Sequence, residues 1–224
     1  MKPIIGIVAR VEYPGDTHKL VVNEEYRNAV LKSGGIPLCI LPTQIIDYTS
    51  VKFNDQNELS DEEKEMIISQ INKCDGVLLP GGFKTNKFDR FIIEYVIDKD
   101  IPVLGICLGM QIMANYKKEL YWNEKNNSFV DHKLEDGTYH SVTLDKTSFL
   151  YSIVKSERFD VLSRHLYHAL PNDYFSISSV SDDNYIESIE MKNRKFVVGV
   201  QWHPESLEDE YSIRLFKKFI DACK

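Results

Sequence analysis

At 224 residues, with 43% hydrophobic and 27% charged residues, the chain can bury a core without disulfide staples and fits one α/β domain over residues 1–224. Its formal net charge of -7 and lack of any long basic cluster argue against nucleic acid as a ligand. Cys39, Cys74, Cys107 and Cys223 lie far apart with no C-x-x-C pair, so neither a zinc site nor a disulfide framework is expected, and no metal is assigned. Met1–Gly6 reads straight into a strand with no signal-peptide h-region, and no apolar run approaches membrane-spanning length. These features predict a soluble, cytoplasmic protein without a membrane partner.

Residues 3–9 (P-I-I-G-I-V-A) are a continuous apolar run, as in a central parallel strand buried on both faces. Asn23, followed by Glu24 and Glu25, opens a helix that runs through Tyr26, Ala29 and Val30 and stops at Ser33-Gly34-Gly35. A second strand follows at 36–41, closed by Pro42, so the first forty residues form a βαβ unit and imply a parallel sheet. Residues 43–58 read as a surface loop. Ser60 and Glu63 then form a capping box for a helix that turns Ile67, Ile71 and Cys74 to one face. A third strand, V-L-L-P, ends in Gly81-Gly82. Phe88, Phe91, Ile92, Tyr95 and Val96 recur with helical period and lead into an apolar run at 101–106.

Past that run the chain reads G-I-C-L-G-M-Q and continues into residues that favour helix. A strand turning sharply into a helix, with small residues on either side of a nucleophile, is a nucleophile elbow. It sets Cys107 at a helix N-terminus, where the backbone favours a thiolate, and aims the Leu108 N–H at a developing oxyanion. Residues 117–137 are polar and loop-like, with a turn at Asp136-Gly137. Strand-like runs at 138–144, 158–163, 174–180, 184–191 and 195–201 extend the sheet in antiparallel or mixed fashion, and a helix over 208–222 buries Tyr211, Leu215 and Phe219. Repeated β–α alternation makes the architecture doubly wound: a mostly parallel central sheet, helices on both faces and a small antiparallel extension.

A catalytic cysteine needs a base and a group that orients the base. His203-Pro204-Glu205 supplies both at the end of the last strand, since residues two apart on an extended segment face one side. Pro80-Gly81-Gly82 adds a turn whose backbone N–H can approach a ligand closely. The three parts fall at neighbouring strand ends, where sites of α/β proteins gather.

P-G-G (80–82), G-I-C-L-G-M-Q (105–111) and G-V-Q-W-H-P-E-S (199–206) together resemble the class I glutamine amidotransferase superfamily. The opening P-I-I-G-I and the run N-E-E-Y-R-N-A-V-L-K-S-G-G-I-P-L-C-I-L-P at 23–42 are similar to the gamma-glutamyl-peptide hydrolases of the gamma-glutamyl-GABA hydrolase type. The resemblance implies Cys107, His203 and Glu205 as a catalytic triad, Gly82 and Leu108 as oxyanion donors, and Gln111 as a contact to a glutamyl group. That branch tends to carry N-S-x-H-H-Q before its last strands. This chain keeps Ser163 and His165 of it, and His165 is a candidate pocket residue. The branch also has a longer segment after the glycines, where Phe83-Lys84-Thr85-Asn86 here runs almost directly into a helix. The implied reaction is hydrolysis of a gamma-glutamyl amide through a thioester, with no cofactor. The alternative is a glutaminase component passing ammonia to a synthase partner. A homodimer is left open.

Overall fold

The computed structural model describes residues 1–12, 19–118, 123–126, 132 and 137–224. Its centre is a nine-stranded sheet built from β1 (Ile4–Val8), β2 (Ile36–Ile40), β3 (Gly76–Leu79), β4 (Val103–Ile106), β5 (Thr138–Leu144), β6 (Arg158–Ser163), β7 (Ser176–Ser181), β8 (Ile186–Glu190) and β9 (Val197–Val200). The order across the sheet is β2-β1-β3-β4-β9-β8-β7-β5-β6. The first five strands in that order run parallel and the remaining four antiparallel. The antiparallel extension is therefore nearly half of the sheet.

Helices α1 (Glu24–Lys32), α2 (Asp61–Ile71), α3 (Lys87–Asp98), α4 (Leu108–Met113), α5 (Phe149–Val154) and α6 (Glu210–Ala222) cover the two faces. Alternation along the strands sorts the core. Ile5, Ile7, Leu78, Leu104, Ile106, Val198 and Val200 pack with α1, α5 and α6. Val8, Val77, Leu79, Val103 and Val197 pack with α2, α3 and α4. Successive side chains of a strand point to opposite faces, so apolar runs such as V-L-G-I supply both layers at once.

The expected caps form. Ser60 Oγ accepts the Glu63 N–H at 3.2 Å, and Glu63 returns a carboxylate to the Ser60 N–H at 2.8 Å. Gly34, at φ 94°, ends α1 in a conformation that a side chain would strain. Asn23 is the N-cap of α1, but its side chain makes no capping hydrogen bond. Helix α2 stops at Ile71, so Cys74 lies beyond it. In α6, Leu215 and Phe219 are buried while Tyr211 is half-buried. Helix α5 was not expected: F-L-Y-S-I-V is too short and too apolar to show a helical period. Ser148 caps it, and the Glu190 carboxylate accepts the N–H groups of Phe149 and Leu150 at 2.7 and 2.9 Å.

Most of the loop expected at 117–137, including Asp136, lies outside the described residues. Within it, Glu124–Lys125 pairs with Tyr167–His168 in a short antiparallel ribbon, and Arg10–Val11 pairs with Leu20–Val21 in another. Among the described residues no helix is long and apolar enough to cross a membrane.

Candidate active site

Three neighbouring strands of the sheet end together. Leu79 of β3 lies opposite Gly105 of β4, and Ile106 lies opposite Val200 of β9. The residues just beyond are therefore Pro80, Cys107 and Gln201, side by side at one carboxyl edge. Cys107 has φ 51° and ψ -107°, a backbone conformation disfavoured for a residue with a Cβ. It is held there by its N–H donating to Val200 O at 2.8 Å and by α4 starting at the next residue.

The glycines around it have a steric cause. A Cβ on Gly109 would drive into the carbonyl oxygen of Leu79, and one on Gly105 into Met113 and the Gly109 backbone. Helix α4 thus rests against the strands at a separation only glycine allows. As the first residue of α4, Leu108 has an N–H with no intrahelical acceptor. An added Cβ on Gly82 would lie 3.1 Å from Arg10 Cδ and 3.2 Å from Leu108 Cδ2, so Gly82 and Leu108 are neighbours.

The Pro80-Gly81-Gly82 turn is clamped from below. Arg10 Nε and Nη2 each donate to Pro80 O at 3.0 Å, and Nη1 pairs with the buried Asp89 of α3. Asp89 also accepts the Asn86 N–H at 2.9 Å. The Gly81 N–H donates to the Tyr26 hydroxyl at 2.9 Å. Burial, the Glu205 carboxylate and Cys107 all raise the pKa of Tyr26, so this phenol stays neutral.

His203 and Glu205 follow β9. His203 Nδ1 and Glu205 Oε1 are 2.6 Å apart, while His203 Nε2 is buried without a hydrogen-bond partner among the described residues. Tyr26, His203 and Cys107 surround one glycine: a Cβ on Gly81 would lie 2.9 Å from Tyr26 Oη, 3.0 Å from His203 Cε1 and 3.4 Å from Cys107 Cβ. Burial alone would lower the His203 pKa. The Glu205 carboxylate, hydrogen-bonded to the ring, and Cys107 outweigh it and hold the imidazole up at about 10.

Cys107, His203, Gly81, Gly82, Tyr26, Phe83 and Arg164 line a common cavity of about 200 Å³. A larger groove of about 570 Å³ lies on the other side of Glu205, between α1 and α6, and does not include Cys107.

Two predicted site residues sit elsewhere. Gln111, on α4, is buried, and its Nε2 donates to Tyr167 O at 2.7 Å and Gln201 Oε1 at 3.2 Å while Oε1 accepts from Asn123 at 3.2 Å. His165 is buried beside His132 and Glu187. Neither lines the cavity that holds Cys107. Sequence reasoning missed Arg10, Asp89 and Tyr26, which set the glycine turn, and Arg164 at the cavity wall. Arg164 occupies the variable position between Ser163 and His165, the one signal that marked it.

The model of the family described as Peptidase C26 matches residues 84–205, which include Cys107, His203 and Glu205. The gamma-glutamyl-gamma-aminobutyrate hydrolase PuuD of Escherichia coli (strain K12) is 25% identical, covering 99% of this chain and 94% of that protein. A CTP synthase of Phytoplasma australiense is 25% identical over 99% of this chain and 43% of its own length. Among solved structures, the glutaminase domain of Trypanosoma brucei CTPS, with bound acivicin, matches at a TM-score of 0.66 and 19% identity, covering 99% of this chain and 93% of that one. At that identity the likeness is one of fold.

Proposed function

This chain belongs to the peptidase C26 family, and from that premise we propose that it is a cysteine-dependent hydrolase of gamma-glutamyl amide bonds. The observation that carries the reading is the positive-φ cysteine whose cavity also holds a buried, unpartnered His203 Nε2 backed by Glu205. In this reading the Cys107 thiolate attacks the side-chain carbonyl carbon and forms a C–S bond. The N–H groups of Gly82 and Leu108 hold the oxyanion. The imidazolium of His203 gives its proton to the departing nitrogen as the C–N bond breaks, leaving a gamma-glutamyl thioester. Water then attacks the thioester, His203 takes its proton, and glutamate leaves as the thiolate returns.

Glu205 keeps His203 oriented and charged in the resting site. The exposed Arg164 and Glu25 also line this cavity. We assign them to the alpha-carboxylate and alpha-ammonium of the glutamyl group, whose charges they complement. The reaction needs no cofactor.

The experiment is glutamate release by the purified chain from gamma-glutamyl-GABA, gamma-glutamyl dipeptides and free glutamine, with Cys107→Ala as the blank. Release from a gamma-glutamyl amide in preference to glutamine supports the reading. Equal release in Cys107→Ala would refute it.

The CTP synthase relative favours one second reading, a glutaminase supplying ammonia to a synthase on a separate chain. Glutamine turnover that rises on adding such a partner would select it.

A further inference from the structure

Away from the cavity, His132, His140, His165 and Glu187 converge on one interior point. They come from four parts of the chain: the segment before β5, β5 itself, the segment after β6, and β8. Their side chains are 1%, 7%, 1% and 0% exposed, in that order. His140 Nε2 and His165 Nε2 each lie 3.5 Å from Glu187 Oε1, and His132 Nδ1 lies 3.7 Å from it. All four candidate ligand atoms fall within 4.8 Å of one another. Among the described residues, His140 Nε2, His165 Nε2 and both carboxylate oxygens of Glu187 are buried with no hydrogen-bond partner. Among the described residues, the inward nitrogen of His132 has the Ser163 hydroxyl within hydrogen-bond range, at 3.5 Å.

Such a concentration of unpaired polar atoms is costly in a protein interior unless something fills its centre. The separations exceed good hydrogen-bond lengths. They approach the edge, roughly 3.4 Å, of a tetrahedron with ~2.1 Å metal–ligand bonds. The outward ring nitrogens are supported as metal-bound imidazoles usually are. His132 Nε2 meets Asp183 Oδ2 at 2.9 Å, His165 Nδ1 meets Tyr167 O at 3.0 Å, and His140 Nδ1 meets Ser141 O at 3.3 Å. Donation to these acceptors leaves the lone pairs of the inward nitrogens facing the centre. A divalent cation would also balance two buried carboxylates, those of Glu187 and Asp183.

We propose that His132, His140, His165 and Glu187 form a closed structural site for one zinc ion. Three imidazoles and one carboxylate are a zinc donor set, and four protein ligands leave no open position for catalysis. The site lies just behind the catalytic edge. The Glu187 carbonyl accepts the Gln201 N–H at 2.8 Å, and the Leu162 carbonyl accepts the His203 N–H at 2.9 Å. Zinc there ties β5, β8 and the segment carrying Arg164 to the strand end that presents His203. It takes no part in bond making.

The test uses the full chain bearing Cys107→Ala, which removes the active-site thiol as a competing ligand. After chelator treatment it is titrated with Zn²⁺ alone by calorimetry, and with Co²⁺ alone by visible absorption. One equivalent of zinc, intense tetrahedral cobalt bands and a rise in Tm with metal are expected. Adding Glu187→Gln or His165→Ala, each checked for folding by circular dichroism, should weaken zinc binding by at least ~100-fold. No zinc binding, weak octahedral cobalt bands, or unchanged affinity in both variants would overturn the proposal. The cobalt spectrum needs no ligand variant, so a misfolded mutant does not blunt the test. Failure here leaves the glutamate-release result untouched.

Discussion

His203 is where the energetics of the site concentrate. Its raised pKa of about 10 depends on Glu205 opposing the burial of the ring. Glu205→Gln should therefore let the imidazole lose its proton at much lower pH and reduce kcat by roughly 10²–10⁴-fold. A pH–rate profile reads both effects, and a profile unmoved in the variant would exclude the assigned role. Linkage gives a second readout. Since the folded pKa lies above the unfolded value of ~6.5, the stabilisation from this pair is complete below that pH and lost as pH rises through about 10. Denaturant unfolding should show that decline, and Glu205→Gln should flatten it. Arg164→Ala should raise KM about tenfold or more with a smaller change in kcat, because the carboxylate it is assigned is remote from the scissile bond. The meeting of Cys107, His203 and Glu205 at one cavity was legible because each lies in a short, local motif at a strand end. The roles of Gln111 and His165 were not, since a motif position does not say whether a side chain turns to the cavity or to interior partners such as Tyr167 O and Glu187.

Among the elements, α4 carries the tightest constraint. Gly109 lies so close to the Leu79 backbone that Gly109→Ala must push helix from strand. A loss of about 3 kcal/mol in unfolding free energy is expected, with activity falling alongside as Cys107 shifts. A near-neutral variant would mean that the elbow is looser than this packing implies. The Arg10–Asp89 pair under the glycine turn gives a parallel case. Removing one partner strands a buried charge, so Asp89→Ala should cost about 3–5 kcal/mol by chemical denaturation. Strands such as 138–144 and 158–163 could be read directly because β-branched and aromatic residues recur between turn signals. Helix α5 could not, because its six residues are too few to display a period and its N-terminus is completed by Glu190, distant in sequence. Arg10 and Asp89 were silent for the same reason: their partnership exists only across the finished sheet.

At the scale of the whole molecule, parallel strand order brings three separate motifs to one edge, while the antiparallel half gathers the histidine cluster behind it. The first arrangement follows from β–α alternation, which the sequence pattern displays. The second requires knowing that β8 lies beside β9 and that β5 and β6 close the far edge, which no local pattern specifies. The proposed hydrolysis requires that Cys107 take the gamma-glutamyl group covalently. Its most direct test is acid quench of the purified protein during turnover of a chromogenic gamma-glutamyl anilide, followed by intact-mass and peptide mass measurement. A gamma-glutamyl adduct confined to the peptide containing Cys107 and absent in Cys107→Ala is expected. Amine release with no adduct on that peptide, or at an equal rate in Cys107→Ala, would contradict it.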